Sequence, residues 1–238
     1  MRQVPRYLII GNGRLARHFQ QYFLLQQIHF QHWHRALPLS HLYEMLMDTT
    51  HVLVLISDQA IEPFIKTFLP LANPLMIHCS GSLVTPYAYG AHPLMSFSSE
   101  MYPLSDYQSI PFMLDENAPA FSNLFPGLPN PHFSLTTALK KKYHALCVLG
   151  GNFSCLLWQK VFSTFEKEFK LPASVCFPYL QQQTHNLITH WQTALTGPLT
   201  RNDLGTIDDN IQALLGDSFQ AIYKQFVVCY QTMQEETL

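Results

Sequence analysis

The strongest constraint on this chain of 238 residues lies at its beginning, Tyr7-Leu8-Ile9-Ile10-Gly11-Asn12-Gly13-Arg14-Leu15-Ala16. A short apolar run ends in G-x-G-x-x-A, and residues 17–25 carry Phe19, Tyr22 and Phe23 at helical spacing. Strand, glycine turn and helix in that order are what give the spacing meaning. Gly11 permits the tight turn, Gly13 lets the backbone approach a pyrophosphate, and Ala16 lets the helix pack closely on the strand. An anion would then rest at the helix N-terminus, where unpaired N–H groups and the helix dipole favour negative charge. An ordinary strand-to-helix turn uses the same residue types, so the remainder of the chain has to decide between the two.

The next segment bears on which nucleotide. A second strand is predicted at 28–33, ending in His34-Arg35. Dinucleotide sites that hold the adenosine ribose through its hydroxyls use an acidic residue about 20 positions beyond the glycines. This chain has no Asp or Glu before Glu44, and Arg35 stands 22 positions after Gly13. A guanidinium suits a 2′-phosphate, which it grips bidentately, and its plane stacks on adenine. The expected cofactor is therefore NADP, with Gly11, Asn12, Gly13, Arg14, Leu15, Ala16, His34 and Arg35 at its site. His29, His32 and His34 lack a neighbouring carboxylate or cysteine to complete a metal site, and no metal is expected.

Onward, the pattern predicts a helix at 42–47, a buried parallel strand at 51–56 and a helix at 60–71. A further strand at 75–79 runs into Ser80-Gly81-Ser82. Ser57, Ser80 and Gly81 fall at the strand ends where open α/β sheets place ligands, and join the cofactor-binding set. Residues 90–95 read as a loop or strand end, with strands at 110–114 and 133–135. The proline-rich segment 125–131 is turn chemistry. From Thr137 nothing alternates like a strand. Residues 140–170 read as one helix of about 30 residues by apolar periodicity, followed by helices at 179–195 and within 207–233. The fold class is α/β: a doubly wound Rossmann domain over 1–135 and an all-helical substrate and dimerisation domain over 136–238.

Composition narrows the partners. A net charge of −2 gives no general attraction to nucleic acid, and no apolar run approaches the ~20 residues of a membrane helix. The first residues do not read as a signal peptide. Five scattered cysteines without a C-x-x-C pair suggest reduced, buried thiols and a cytoplasmic protein. G-x-S-x-G, P-loop and H-E-x-x-H signatures are all missing from the sequence.

Three places could carry chemistry. His144 and Asn152 lie two turns apart on the long helix, with Gly150-Gly151 between them, and a buried imidazole and amide there could hold a substrate. Glycine in a helix interior costs ~1 kcal/mol against alanine, so a pair suggests close approach of another group. His92, in His92-Pro93, has the chemistry for proton transfer. The loop 196–203 gathers Thr196, Gly197, Arg201 and Asp203 and could bind an anionic substrate; equally, residues 206–209 could cap the next helix, with Arg201 and Asp203 a structural ion pair.

With these residues in hand, the chain resembles a group of bacterial Rossmann-like oxidoreductases that join an NADP-binding domain to a helical domain long catalogued as of unknown function. The resemblance spans nearly the whole length. It rests on Gly11-Asn12-Gly13-Arg14-Leu15-Ala16, His78-Cys79-Ser80-Gly81-Ser82, His92-Pro93-Leu94, Tyr143-His144-Ala145 with Asn152, and Leu195-Thr196-Gly197-Pro198. The wider superfamily holds 6-phosphogluconate dehydrogenase, pyrroline-5-carboxylate reductase and ketopantoate reductase, and some members of the group are regarded as a distinct class of ketopantoate reductase. The resemblance implies hydride transfer from NADPH to the 2-keto group of ketopantoate (2-dehydropantoate) for pantothenate synthesis, in a cytoplasmic homodimer. Imine reduction of the pyrroline-5-carboxylate reductase type, or NADP sensing without catalysis, are the other readings. The family's lysine one turn before the helix asparagine is replaced here by Val148. The proton would then come from His144, from Lys142, or from a water held by His92.

Overall fold

The structure is a computed structural model that describes residues 4–70 and 73–235. The chain packs as two compact units, Met1–Leu157 and Trp158–Leu238.

The first unit begins β1 (Tyr7–Ile10), α1 (Arg14–Leu25), β2 (Phe30–Trp33), α2 (Leu39–Leu46), β3 (His51–Val54), α3 (Asp58–Phe68) and β4 (Leu75–His78). It continues β5 (Tyr89–Pro93), α4 (Leu104–Ser109), β6 (Phe112–Asp115), α5 (Phe121–Leu124) and β7 (His132–Leu135). These strands form one sheet in the order β2-β1-β3-β4-β5-β6-β7. Pairing is parallel except between β5 and β6. The chain leaves β1 to one side for β2 and returns to its other side for β3, so the order reverses at β1. That reversal opens a crevice at the strand ends.

Alternation along β1 explains why both faces are covered. Tyr7 and Ile9 enter one core with Phe19 and Phe23 of α1 and Phe112, Phe121 and Phe125. Leu8 and Ile10 enter the other with Leu42 of α2 and Ile61 and Ile65 of α3. The proline-rich stretch after α5 is not a surface turn alone: Phe125, Leu128 and Asn130 are buried in it. The Asn130 amide donates to the carbonyls of Tyr107 and Ile110 and its oxygen accepts from the Tyr22 hydroxyl.

Several expected bounds shift. The segment 90–95, expected as a loop or strand end, is the paired strand β5, and α4 and α5 were not foreseen. The helix expected to reach Leu71 ends at Phe68, and Leu71 itself lies outside the described residues. So do Met1, Arg2 and Gln3 of the segment judged not to be a signal peptide.

The long helix is continuous over Thr137–Lys167 but not uniform. A 3₁₀ turn (Thr137–Leu139) leads into α6 (Lys140–Cys147), then a π-helical turn (Val148–Phe153), then α7 (Ser154–Lys167). Gly150 and Gly151 fall in the π turn, and a Cβ on either would meet nothing within 4 Å. Within the described residues of this chain no group approaches either glycine closely, and both fall in the wider turn. By length and composition this helix could cross a membrane, which corrects the expectation that no stretch could. Its last turns nonetheless pack within the second unit, through the ion pair of Lys160 with Asp217 and the rings of Trp158 and Phe162 against Tyr179 and Phe177.

The second unit is helical: the end of α7, a 3₁₀ turn (Ala173–Cys176), α8 (Phe177–His190), α9 (Leu204–Ala213) and α10 (Phe219–Glu235). Two helices thus occupy the segment expected to hold one or two. Gly216, at φ 83°, makes the break between them. The cysteines are not all buried as expected: Cys155 on α7 and Cys229 on α10 stand on open helix faces.

One contact fixes the start of α6 to the sheet. Lys140 and Asp115 pair at 2.7 Å with side chains 4% and 9% exposed. Lys140 also donates to the Leu83 carbonyl, and Asp115 accepts from the Gly90 N–H at 2.8 Å. Removing one member of a buried pair strands the other charge. Lys140→Met should cost about 3–5 kcal/mol in urea unfolding, and Lys140→Met combined with Asp115→Leu should recover part of that loss.

Candidate functional site

The crevice at the β1/β3 crossing is a cleft of about 1100 Å³. Gly11, Asn12, Gly13, Arg14 and Leu15 line one side, His34 and Arg35 the end of β2, and Ser57, Asp58 and Ser80 the ends of β3 and β4. Nine of the eleven residues expected at a cofactor therefore line one cavity. Of the other two, Ala16 is fully buried beneath the turn and Gly81 is turned elsewhere. Asp58, which follows Ser57 at the end of β3, is also part of the wall, as are Ile56 and Phe64.

The glycine turn is built from backbone constraints. Gly11 has φ 123°, and a Cβ there would lie 2.1 Å from the Leu55 carbonyl oxygen. Its N–H donates to the Trp33 carbonyl at 2.9 Å, and its own carbonyl meets His32 Nε2 at 2.6 Å. His32 is thus engaged in bracing the turn, and its ring lies 5.3 Å from that of His34. Gly13 is the residue before the first turn of α1, and no side chain caps that helix. A Cβ on Gly13 would enter open space. The first turn of α1 also lacks an acidic residue to occupy its N–H groups. An uncapped helix start beside two arginines and an open cleft fits the phosphates of a dinucleotide.

At the far end of the cleft a polar cluster begins. Ser80 donates to Asp58 Oδ2 at 2.5 Å and accepts from the Ser82 and Leu83 N–H groups. The Ser80 N–H donates to His78 Nδ1 at 3.2 Å, which places the His78 proton on Nε2. His78 is fully buried, and its Nε2 has no hydrogen-bond partner among the described residues. Burial first, then the nearby Lys140 charge, pushes its pKa down to about 4.

Beyond Ser80 lies Gly81. A Cβ there would come within 2.6 Å of His144 Cδ2 and 3.2 Å of His92 Nε2. His92 projects from β5 and His144 from α6, with ring centroids 6.3 Å apart. The structure thus brings together His92 and His144, two of the three expected catalytic residues, and adds Tyr143, whose hydroxyl lies 2.7 Å from His92 Nδ1. Burial first, then the charges of His144 and Lys140, lowers the His92 pKa to about 4, with Asp58 opposing. Both His78 and His92 are neutral at neutral pH.

Asn152 is exposed, which corrects the expectation of a buried amide. Asn152 lies in the π turn, where no neighbouring element of the structure covers it. In the second unit, Thr196 and Arg201 are exposed and Gly197 has φ 105°. Asp203, rather than residues 206–209, caps α9: it accepts from the Thr206 N–H at 3.1 Å and from its hydroxyl at 2.8 Å. Those bonds hold its carboxyl below the usual range, with Arg201 adding a smaller pull.

Tyr143 could have been found from spacing. Lys140, Tyr143, His144 and Cys147 recur at three and four residues and so share a helix face.

The turn makes a paired prediction. Gly11→Ala should unfold at markedly lower temperature, because left-handed strain of about 1–3 kcal/mol adds to a backbone collision. Gly13→Ala should melt close to the parent while weakening binding of a phosphate-bearing ligand in titration calorimetry.

Comparison with known proteins supplies the context. Residues 114–228 match the family model described as a domain of unknown function, DUF2520. Among curated proteins, none matches the chain in sequence. A Bacteroides fragilis protein named as an NADP oxidoreductase, BF3122, superposes with a TM-score of 0.76 at 19% identity, over 95% of this chain and 97% of that one. TM1727 of Thermotoga maritima gives 0.66 at 18% identity, over 97% and 99%. A Streptomyces aurantiacus imine reductase gives 0.64 at 11%, over 97% and 95%. At these identities the likeness is one of fold, and the chain shares the α/β Rossmann-type fold with a helical C-terminal part.

Proposed function

We propose that the chain is an NADPH-dependent reductase acting on a small 2-keto acid, with 2-dehydropantoate, reduced to pantoate, as the substrate to test first. The observation that carries the reading is the cleft itself, with its strained Gly11, its open Gly13, and Arg14 and Arg35 in a wall that offers no carboxylate at the β2 end. In this reading the backbone at Gly11, Asn12 and Gly13 holds the pyrophosphate. Arg35, with His34 beside it, takes the adenosine 2′-phosphate. Ser57 and Ser80 border the nicotinamide end. When bound, the cofactor supplies a hydride.

The chain's own contribution is to orient and polarise a substrate oxygen. His92 and His144, together at Gly81, are the groups placed for it. Val148 stands where related enzymes have lysine, so the imidazoles take over the polar work at that end. The keto-acid assignment is supported by the sequence resemblance. Likeness to the Streptomyces enzyme supports a second reading, reduction of an imine.

The test follows loss of reduced-nicotinamide absorbance with ketopantoate and with a cyclic imine, using NADPH and NADH in parallel. NADPH-dependent turnover of ketopantoate is expected. Faster turnover of the imine would transfer the assignment to the second reading. Arg35→Ala should weaken NADPH binding about 10–100-fold, the worth of one charge-assisted contact of roughly 1.5–3 kcal/mol, and leave NADH nearly unchanged. An unaltered NADPH-to-NADH preference would refute the role given to Arg35.

We also propose a homodimer. In the second unit only Cys176 and Ile207 are buried among the described residues, while Ile188, Trp191, Leu215 and Phe226 are exposed. A helical unit of this size without its own core is not expected to be stable alone. A second copy of the chain would cover these faces. Sedimentation should give a dimer at micromolar concentration; a stable monomer would refute it.

A further inference from the structure

We infer that Tyr143 is a positioning residue that holds His92 in the tautomer with its proton on Nε2, presenting that N–H at the Gly81 edge of the site as a hydrogen-bond donor to a carbonyl oxygen. The inference rests on the reductase reading and adds to it a residue and a substrate preference.

Tyr143 Oη and His92 Nδ1 are 2.7 Å apart, at hydrogen-bond distance. Of two neutral groups the phenol is the stronger acid and the imidazole nitrogen the stronger base, so Tyr143 donates and Nδ1 accepts. The phenol is suited to this, since burial first, and then the neighbouring Cys147, push its pKa up and keep its proton in place. The charged and titratable groups around His92 are His144, Lys140 and Tyr143 from the long helix and Asp58 from α3. Burial and the cationic neighbours keep the ring neutral, with a single proton. With Nδ1 committed as acceptor, that proton stands on Nε2.

Nε2 lies against the Gly81 backbone, beside Cδ2 of His144. It lies 3.2 Å from the position a Cβ would take, and Gly81 directly follows Ser80 of the cleft wall. A neutral imidazole N–H stabilises negative charge that develops on an oxygen. A carbonyl oxygen gains that charge as hydride reaches its carbon. An iminium nitrogen instead enters positive and becomes neutral, so a donor aimed at it gives no help. The ring donates a hydrogen bond and keeps its proton; the proton that completes the alcohol comes from solvent water. The site so arranged prefers carbonyl to iminium substrates.

The experiment is nitrogen-resolved NMR of the imidazoles in the full-length protein, with the His92 signals assigned from His92→Gln. The parent should show the Nε2–H form. In Tyr143→Phe the pattern should relax toward a mixture of tautomers. An Nδ1–H pattern in the parent, or an unchanged one in Tyr143→Phe, would overturn the lock, and the parent spectrum decides even if the variant does not fold. In turnover of a 2-keto acid, Tyr143→Phe should lower kcat about 10–100-fold, as loss of a group that orients a functional imidazole does, with KM nearly constant. A chain that shows the lock but oxidises NADPH with no carbonyl removes the reductase reading and the donor role with it. Turnover that is unchanged in Tyr143→Phe overturns the positioning role alone.

Discussion

The buried pair of Asp115 and Lys140 is the contact on which the rest of the site depends. It joins the end of β6 to the first turn of the long helix where neither charge can reach water freely. A charge in that position is tolerable only if its partner is held at hydrogen-bond distance, so the pair leaves α6 little freedom to rotate or slide. Tyr143, His144 and Cys147 follow Lys140 at three, four and seven residues. Fixing Lys140 therefore fixes the face that carries all of them. The two imidazoles and the phenol meet because a helix face has been set against a sheet edge by an ion pair.

Two glycines make room for that face, and neither has a positive φ. At Gly90 a Cβ would lie 2.5 Å from an Asp115 oxygen and 2.6 Å from the Lys140 nitrogen. At Gly81 it would collide with His144 and crowd His92. Both glycines are present for close approach rather than for backbone freedom, in contrast to Gly11, which needs both. The cleft and the cluster thus adjoin through Ser80 and Gly81, one residue facing each. A short segment after β4 thus faces the cleft through one residue and the imidazoles through the next.

What was legible in the sequence follows from how local each signal is. The glycine turn, the strands up to His78 and the arginine at the end of β2 are written in contiguous residues, and eight of the residues named from them beside Ser80 line the cleft. Gly81 was read as part of the same turn, but its neighbours come from β5 and α6, and no spacing within the turn reveals them. Asp115 and Lys140 are separated by α5, β7 and the loops that join them, so no local spacing reveals their pairing. The long helix was legible as a helix; its π turn was not, because a Gly-Gly pair signals only that something irregular is needed. Asn152 was assigned a burial that the structure does not give it, because helical spacing shows which face a residue shares and not what covers that face.

The second unit shows the opposite limit. Its helices are legible from periodicity, yet Ile188 and Trp191 of the α8 region and Phe226 of α10 carry large apolar side chains into exposed positions. An amphipathic pattern states that a face will be covered and is silent about what covers it. On the sheet of the first unit the covering elements belong to the same unit, so along β1 pattern and burial agree: Tyr7 and Ile9 on one face, Leu8 and Ile10 on the other. In the second they part, and the difference between the apolar content and the two residues buried is itself the information. The end of α7 is the exception within that unit: Lys160 spends its charge on Asp217, and Trp158 and Phe162 lie against rings of α8.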